Sequence, residues 1–203
     1  MASDTAVRHT SRTLNGRDLI NVGIFTAVYF VVMFGCGTLG FLSPLFSGVG
    51  FILGILANGV VIALYLSRVP KVGALTILGL IVGTLMVVTG HPWLGMIITP
   101  VLGLIGDLVA RSGGHRDPRL NTLAYAVLSL WYLGPLLPLV YDSVGYRKYL
   151  VEAMNESYAE AWTTVFGPAA LPFWALGFFV SGLAGGWFGH NVLKRQFRRA
   201  GVA

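Results

Sequence analysis

Six stretches of nearly uninterrupted apolar residues run along the chain, near positions 19–40, 45–66, 72–89, 93–110, 121–140 and 170–191, parted by short polar connections. Each is close to the roughly 20 residues a helix needs to cross the hydrocarbon of a bilayer. Backbone groups in that medium must satisfy their hydrogen bonds internally. The repeated runs therefore predict an all-α, polytopic, six-helix membrane bundle over 19–193, between an N-terminal tail over 1–18 and a basic tail over 194–203. One more helix is predicted outside the apolar runs. In the long connection from Tyr141 to Pro168, Leu150, Met154, Tyr158, Trp162 and Phe166 recur every four residues, with Glu152, Glu156 and Glu160 on another face. This pattern predicts an amphipathic helix, over about 149–166, lying across one mouth of the bundle. The acidic stripe reads as its solvated face.

Composition agrees with a membrane protein: 55% of the residues are hydrophobic and 11% charged, where a soluble domain carries about 25% charged residues. The opening "MASDTAVRHTSRTLNGRD" has no apolar stretch with a cleavage site, so it reads as a short tail rather than a signal peptide. The net charge of +6 does not point to nucleic acid, because the basic residues gather at the ends of the apolar runs. Twelve of the fourteen fall on one side of a six-span arrangement; only Arg147 and Lys148 fall on the other. The positive-inside rule makes that side, with both termini, cytoplasmic. The turn Gly90-His91-Pro92-Trp93, the connection "GFLSPLFSG" and the Tyr141–Pro168 segment are then extracellular.

The candidate chemistry is sparse. No ionisable residue lies near the middle of any span, which disfavours an ion-driven secondary transporter, since such carriers usually need a relay there. There is no G-x-S-x-G, no H-E-x-x-H, no cysteine pair and no phosphate-binding glycine loop, and Ser181 and His190 are nine residues apart on one helix. An enzyme is not expected. Cys36, the single cysteine, reads as a small packing residue. Gly23 and Ala27 stack on one helix face, as do Ser181, Gly185 and Gly189, and such faces admit another helix closely. The second reads as internal packing; the first could equally receive a partner. Asn58 is the most polar side chain near a span centre and reads either as a helix–helix hydrogen bond or as a ligand contact. Pro100, Pro135 and Pro138 should bend their helices.

The segments "LNGRDLINVGIFTAVYFVV", "TGHPW", "GDLVARSGG", "AYAVLSLWYLGPLLPL" and "LKRQFRRAGVA", in this order from Leu14 to Ala203, resemble the MptD or Trep_Strep group of S components of energy-coupling factor transporters. The resemblance implies a six-helix subunit of the bacterial plasma membrane that captures a small molecule outside. It would pass that molecule to a transmembrane T component and two ABC-type ATPases. The subunit itself would carry no cofactor, the ATP being used by its partners. In that group a small-residue face on the first helix docks on the T component. Gly23 and Ala27 match it, with glycine in place of the first alanine. The group's pockets lie near the outer face under the connections between helices one and two, three and four, and five and six.

Candidate ligand-binding residues are therefore His91, Trp93, Asn58, Tyr141, Tyr146, Tyr158 and Trp162, with Phe41 and Phe46 adding to the aromatics near the mouth. A flat, mostly apolar ligand such as a haem, an iron chelate or a vitamin would suit them, and His91 is the one candidate metal ligand. The same aromatics could form an interfacial belt, and His91 could bond only within its turn. A small polytopic scaffold without a ligand is the rival reading.

Overall fold

The computed structural model describes residues 14–199, with side chains to Gln196. Of the two predicted tails, positions 1–13 and 200–203 lie outside the described residues. The protein is a polytopic helical membrane protein. Among the described residues it contains nine α-helices and no strand: α1 (Gly16–Gly37), α2 (Pro44–Arg68), α3 (Ala74–Val88), α4 (Gly95–Ser112), α5 (Pro118–Ser129), α6 (Pro138–Tyr141), α7 (Ser143–Ala153), α8 (Glu156–Phe166) and α9 (Leu171–Arg199). Two 3-10 segments, Thr38–Phe41 and Leu130–Leu136, extend α1 and join α5 to α6.

Helix starts follow local chemistry. Asn15 and Asp18 form a reciprocal capping box on α1, with bonds of 3.0 and 2.8 Å. Ser43 caps α2 and Asp117 caps α5, each followed by a proline whose missing N–H costs nothing at that position. The N-cap of α3 is Gly73, which has no side chain to supply an acceptor. Asp107 of α4 supplies it instead. Fully buried, it accepts from the N–H groups of Gly73, Leu75 and Thr76 at 2.9, 3.1 and 2.9 Å, and from Thr76 Oγ1 at 2.6 Å. Beside it Lys71 bridges to Asp18 at 2.7 Å, so the α2–α3 connection is tied to α1 and α4.

Four helices are long and apolar enough to cross a membrane: α1 with its 3-10 extension, α2, α4 and α9. The third expected span is a shorter apolar helix, Ala74–Val88, and the fifth is broken. The continuous helix predicted over 121–140 stops at Ser129 and proceeds as a 3-10 segment containing Pro135 before restarting at Pro138. Each proline removes an amide donor and crowds the preceding turn, and this close together they prevent α-helical continuation. The single amphipathic helix predicted over 149–166 is also two. Met154 leaves helical geometry, and Asn155 caps a new helix by accepting from Tyr158 N at 2.8 Å. At the other end α9 continues unbroken to Arg199, so Lys194 and Arg195 lie on the last helix.

The bundle is held by close helix pairs. α3 packs along α4, and α9 lies between α2 and α5. A Cβ at Gly59 would fall onto the backbone of Gly185, and one at Gly189 onto that of Gly59, so the Ser181-Gly185-Gly189 face is the α2–α9 seam. Between the helices lies an aromatic core with Tyr29, Tyr65, Tyr125, Trp131 and Phe178 all but fully buried. Their polar atoms are answered: Trp131 Nε1 donates to Tyr29 Oη at 2.8 Å, and Tyr65 Oη to the Ala74 carbonyl at 2.7 Å.

Candidate functional site

At one end of the bundle the helices part around a cavity of about 340 Å³. Its wall is built from the C-terminal end of α1, the N-terminal end of α2, the 3-10 segments and the α3–α4 turn. Met33, Phe51, Met86, Trp131 and Tyr132 supply most of its apolar surface. The break after Ser129 matters here, because the 3-10 turn brings Trp131, Tyr132 and Pro135 to the same cavity.

The α7–α8 hairpin forms the roof. On α7, Tyr146, Tyr149, Leu150 and Ala153 repeat at helical spacing and face the cavity; on α8, Tyr158 and Trp162 do so. Two tyrosine hydroxyls fasten the roof to opposite walls. Tyr149 Oη donates to the Gly90 carbonyl at 3.2 Å, and Tyr158 Oη to the Gly40 carbonyl at 2.9 Å, with Ser47 Oγ a further 3.5 Å contact. A run of rings, Tyr158 on Trp162, Trp162 on Phe166 and Phe166 on Trp174, carries the hairpin back onto α9. The outer face of the roof is solvated. Arg147 pairs with Glu156, Lys148 approaches Glu152 at 3.8 Å, and all four side chains are exposed.

No lining residue is an Asp, Glu, Lys or Arg. Polar contacts come from hydroxyls, from Thr38 and Thr89, and from His91. Gly90 turns the chain at φ +92°, and His91 follows with its amide bonded to the Met86 carbonyl at 2.9 Å and its Nδ1 3.2 Å from Thr89 Oγ1. Burial holds the His91 imidazole below the usual histidine range, opposed in part by the ring's own interaction with the Met86 backbone, so the ring is neutral at pH 7. Burial likewise pushes the Tyr146 and Tyr158 phenols upward, Ser47 easing the shift at Tyr158, and both stay protonated. Trp162 Nε1 is a buried donor with no protein partner.

Of the residues predicted for a ligand site, His91, Tyr146, Tyr158 and Trp162 come together here, and Phe41 joins them. Three do not. Trp93 is 62% and Tyr141 54% exposed outside the cavity, and Asn58 is fully buried between helices with its Nδ2 donating to the Tyr29 carbonyl at 3.1 Å. That bond is the helix–helix role considered for Asn58. Phe46 is exposed and does not line the cavity. The cavity residues that sequence reasoning missed are chiefly Met33, Met86, Trp131, Tyr132 and Tyr149. Tyr149 carried a signal, three residues after Tyr146 and one before Leu150 on the same helical face. Among the described residues no three His, Cys, Asp or Glu side chains gather where they could hold a metal ion. Gly23 and Ala27 lie exposed on α1, and a Cβ at Gly23 would meet nothing within 4 Å.

A family model described as a hypothetical bacterial integral membrane protein (Trep_Strep) matches residues 16–199. No curated protein and no solved structure matches the chain.

Proposed function

Because the chain belongs to the Trep_Strep family of bacterial integral membrane proteins, we propose that it is the substrate-binding S component of an energy-coupling factor importer in the bacterial plasma membrane. The observation that carries this reading is the roofed, uncharged cavity at the end of the bundle opposite the basic residues. By the positive-inside rule that end faces outward, with both termini and the twelve basic residues inside. The six crossings are then α1, α2, α3, α4, the broken α5–α6 unit and α9, and the α7–α8 hairpin is an external lid. A ligand-free scaffold has no use for such a cavity. An ion-driven carrier would need an ionisable relay that the spans lack.

The lining favours a compact, largely apolar molecule without formal charge. A cavity of about 340 Å³ sits at the low end of small-molecule sites, which run from about 300 to 1,000 Å³. A haem-like ligand would bring two carboxylates, for which no lining cation is at hand. Aromatic faces, the Trp162 donor and the neutral His91 imidazole suit a flat vitamin-like ring system instead. Release into the cell would require the T component, docked on the Gly23 and Ala27 face, and ATP hydrolysis by two partner ATPases.

The test is energetic. With a small molecule identified by mass spectrometry of the purified protein used as tracer, uptake stops when the partner ATPases are inactivated, even with the proton gradient intact. Uptake by this chain alone in proteoliposomes under an ion gradient would overturn the reading.

A further inference from the structure

A second cavity, of about 460 Å³, lies at the opposite, basic end of the bundle where α2, α5 and α9 meet. We propose that it holds the headgroup of an anionic phospholipid of the phosphatidylglycerol type. Its rim carries Arg116 from the α4–α5 turn and Lys194 from α9. Both are exposed, and among the described residues neither is paired with a carboxylate. Two cations at one cleft mouth can both face the oxygens of one phosphodiester.

The inner wall is polar in a way that packing does not explain. Asn121 is only 6% exposed; its Nδ2 donates to the His115 carbonyl at 3.1 Å, while its Oδ1 is buried without a partner. His115 Nδ1 is also buried and unpartnered. Among the described residues His115 is the sole non-glycine with positive φ, at 58°, directly after Gly114 at 61°. This turn closes the C-terminal end of α4, with the His115 amide donating to the Ala110 carbonyl at 2.8 Å, and sets His115 at the cleft. An acceptor at Asn121 Oδ1 has no use for a bare phosphate oxygen. It does suit the hydroxyl of a glycerol headgroup, which donates to it while the phosphate faces Arg116 and Lys194.

A lipid fits better than a free anion because the cleft continues into apolar surface. Leu193, half-buried, lines it alongside the polar groups, over the buried Ala63 and Leu66. Trp187, 66% exposed and seven residues before Lys194, lies two turns along the same face of α9. An acyl chain can follow that face into the bilayer.

The experiment uses the full chain purified in detergent with equal phosphatidylglycerol and phosphatidylcholine, read by native mass spectrometry after delipidation. The wild type should retain one phosphatidylglycerol in preference to phosphatidylcholine. A basic residue near a membrane surface is worth about fivefold in affinity, so Arg116→Gln with Lys194→Gln should reduce that preference about 25-fold. Arg17→Gln, at the same end but away from the cleft, should leave it intact. Asn121→Ala should weaken retention of phosphatidylglycerol while leaving that of phosphatidic acid, which has no headgroup glycerol, unchanged. Equal retention of the two lipids, or retention unaltered in the double variant, would overturn the proposal. So would stabilisation of lipid-depleted wild type, but not of the double variant, by millimolar inorganic phosphate, which would identify a soluble-anion site.

Discussion

At the scale of single residues, His91 was legible and its neighbour was not. The motif Gly-His-Pro-Trp placed both rings at the outer turn, but Gly90 at φ +92° and the Met86 carbonyl rotate His91 inward, leaving Trp93 at the surface. Which side of a turn a ring occupies depends on backbone torsions that spacing does not encode. Asn58 lies away from the cavity for another reason: in an apolar medium a buried amide bonds to a nearby carbonyl, here Tyr29 on α1. Ser47, within the connection "GFLSPLFSG", carried no signal, yet it is buried beside Tyr158 and lines the cavity, through a contact 111 residues away in sequence. The neutral His91 makes a pH prediction. Its folded value lies below the unfolded one of about 6.5. Between the two the unfolded chain holds a proton that the folded chain lacks, so stability falls as pH drops through that window and is level above it. His91→Gln should flatten that part of the thermal-stability profile between pH 7 and 5, with His115 contributing its own slope to both proteins. An identical slope in the variant would mean that His91 titrates as an exposed imidazole.

Among the elements, the long apolar helices α1, α2, α4 and α9 were readable because length and hydrophobicity alone specify them. The fifth span and the lid were only half readable. In both, an apolar or amphipathic pattern runs on across a break. Leu150 and Met154 share a four-residue period with Tyr158 and Trp162, although Asn155 starts a new helix between them. The period survives because both helices bury the same side against the bundle, while the cap that separates them is one side chain. The lid's attachment gives the element-scale prediction. Tyr149 and Tyr158 each make one hydroxyl bond to an opposite wall, and such a bond is worth about 1 kcal/mol net. Tyr149→Phe should therefore speed amide exchange in α7, and Tyr158→Phe in α8, by about fivefold each, with the rest of the bundle unchanged. Exchange unaltered in the double variant would show that stacking of Trp162, Phe166 and Trp174 holds the lid by itself.

Across the whole molecule the outer surface is as informative as the cavity. Ile20, Val31, Leu80, Val101, Leu108, Leu176 and Val180 all stand exposed, as side chains facing lipid would. Bulky side chains of this kind give most helices a full apolar coat. The exposed side of α1 differs, because Gly23 and Ala27 leave a shallow track between Ile20 and Val31. Inside the bundle the analogous track, Gly185 with Gly189, is already filled by Gly59 of α2. Nothing among the described residues fills the α1 track, and under the proposed function it is the seat for the helix of a T component. Gly23→Leu is a sharp probe of that idea. A Cβ there meets nothing within 4 Å among the described residues, and replacing glycine within a helix removes a penalty of up to about 1 kcal/mol. The isolated variant should thus melt no lower than the wild type and keep its ligand. If a partner helix does lie in the track, the added bulk overpacks that contact by about 1–3 kcal/mol, so copurification of the T component and ATPases should fall about tenfold, and Gly23→Leu with Ala27→Leu should abolish uptake. A double variant that copurifies with its partners at the wild-type level would mean that lipid, and not a protein, covers this face.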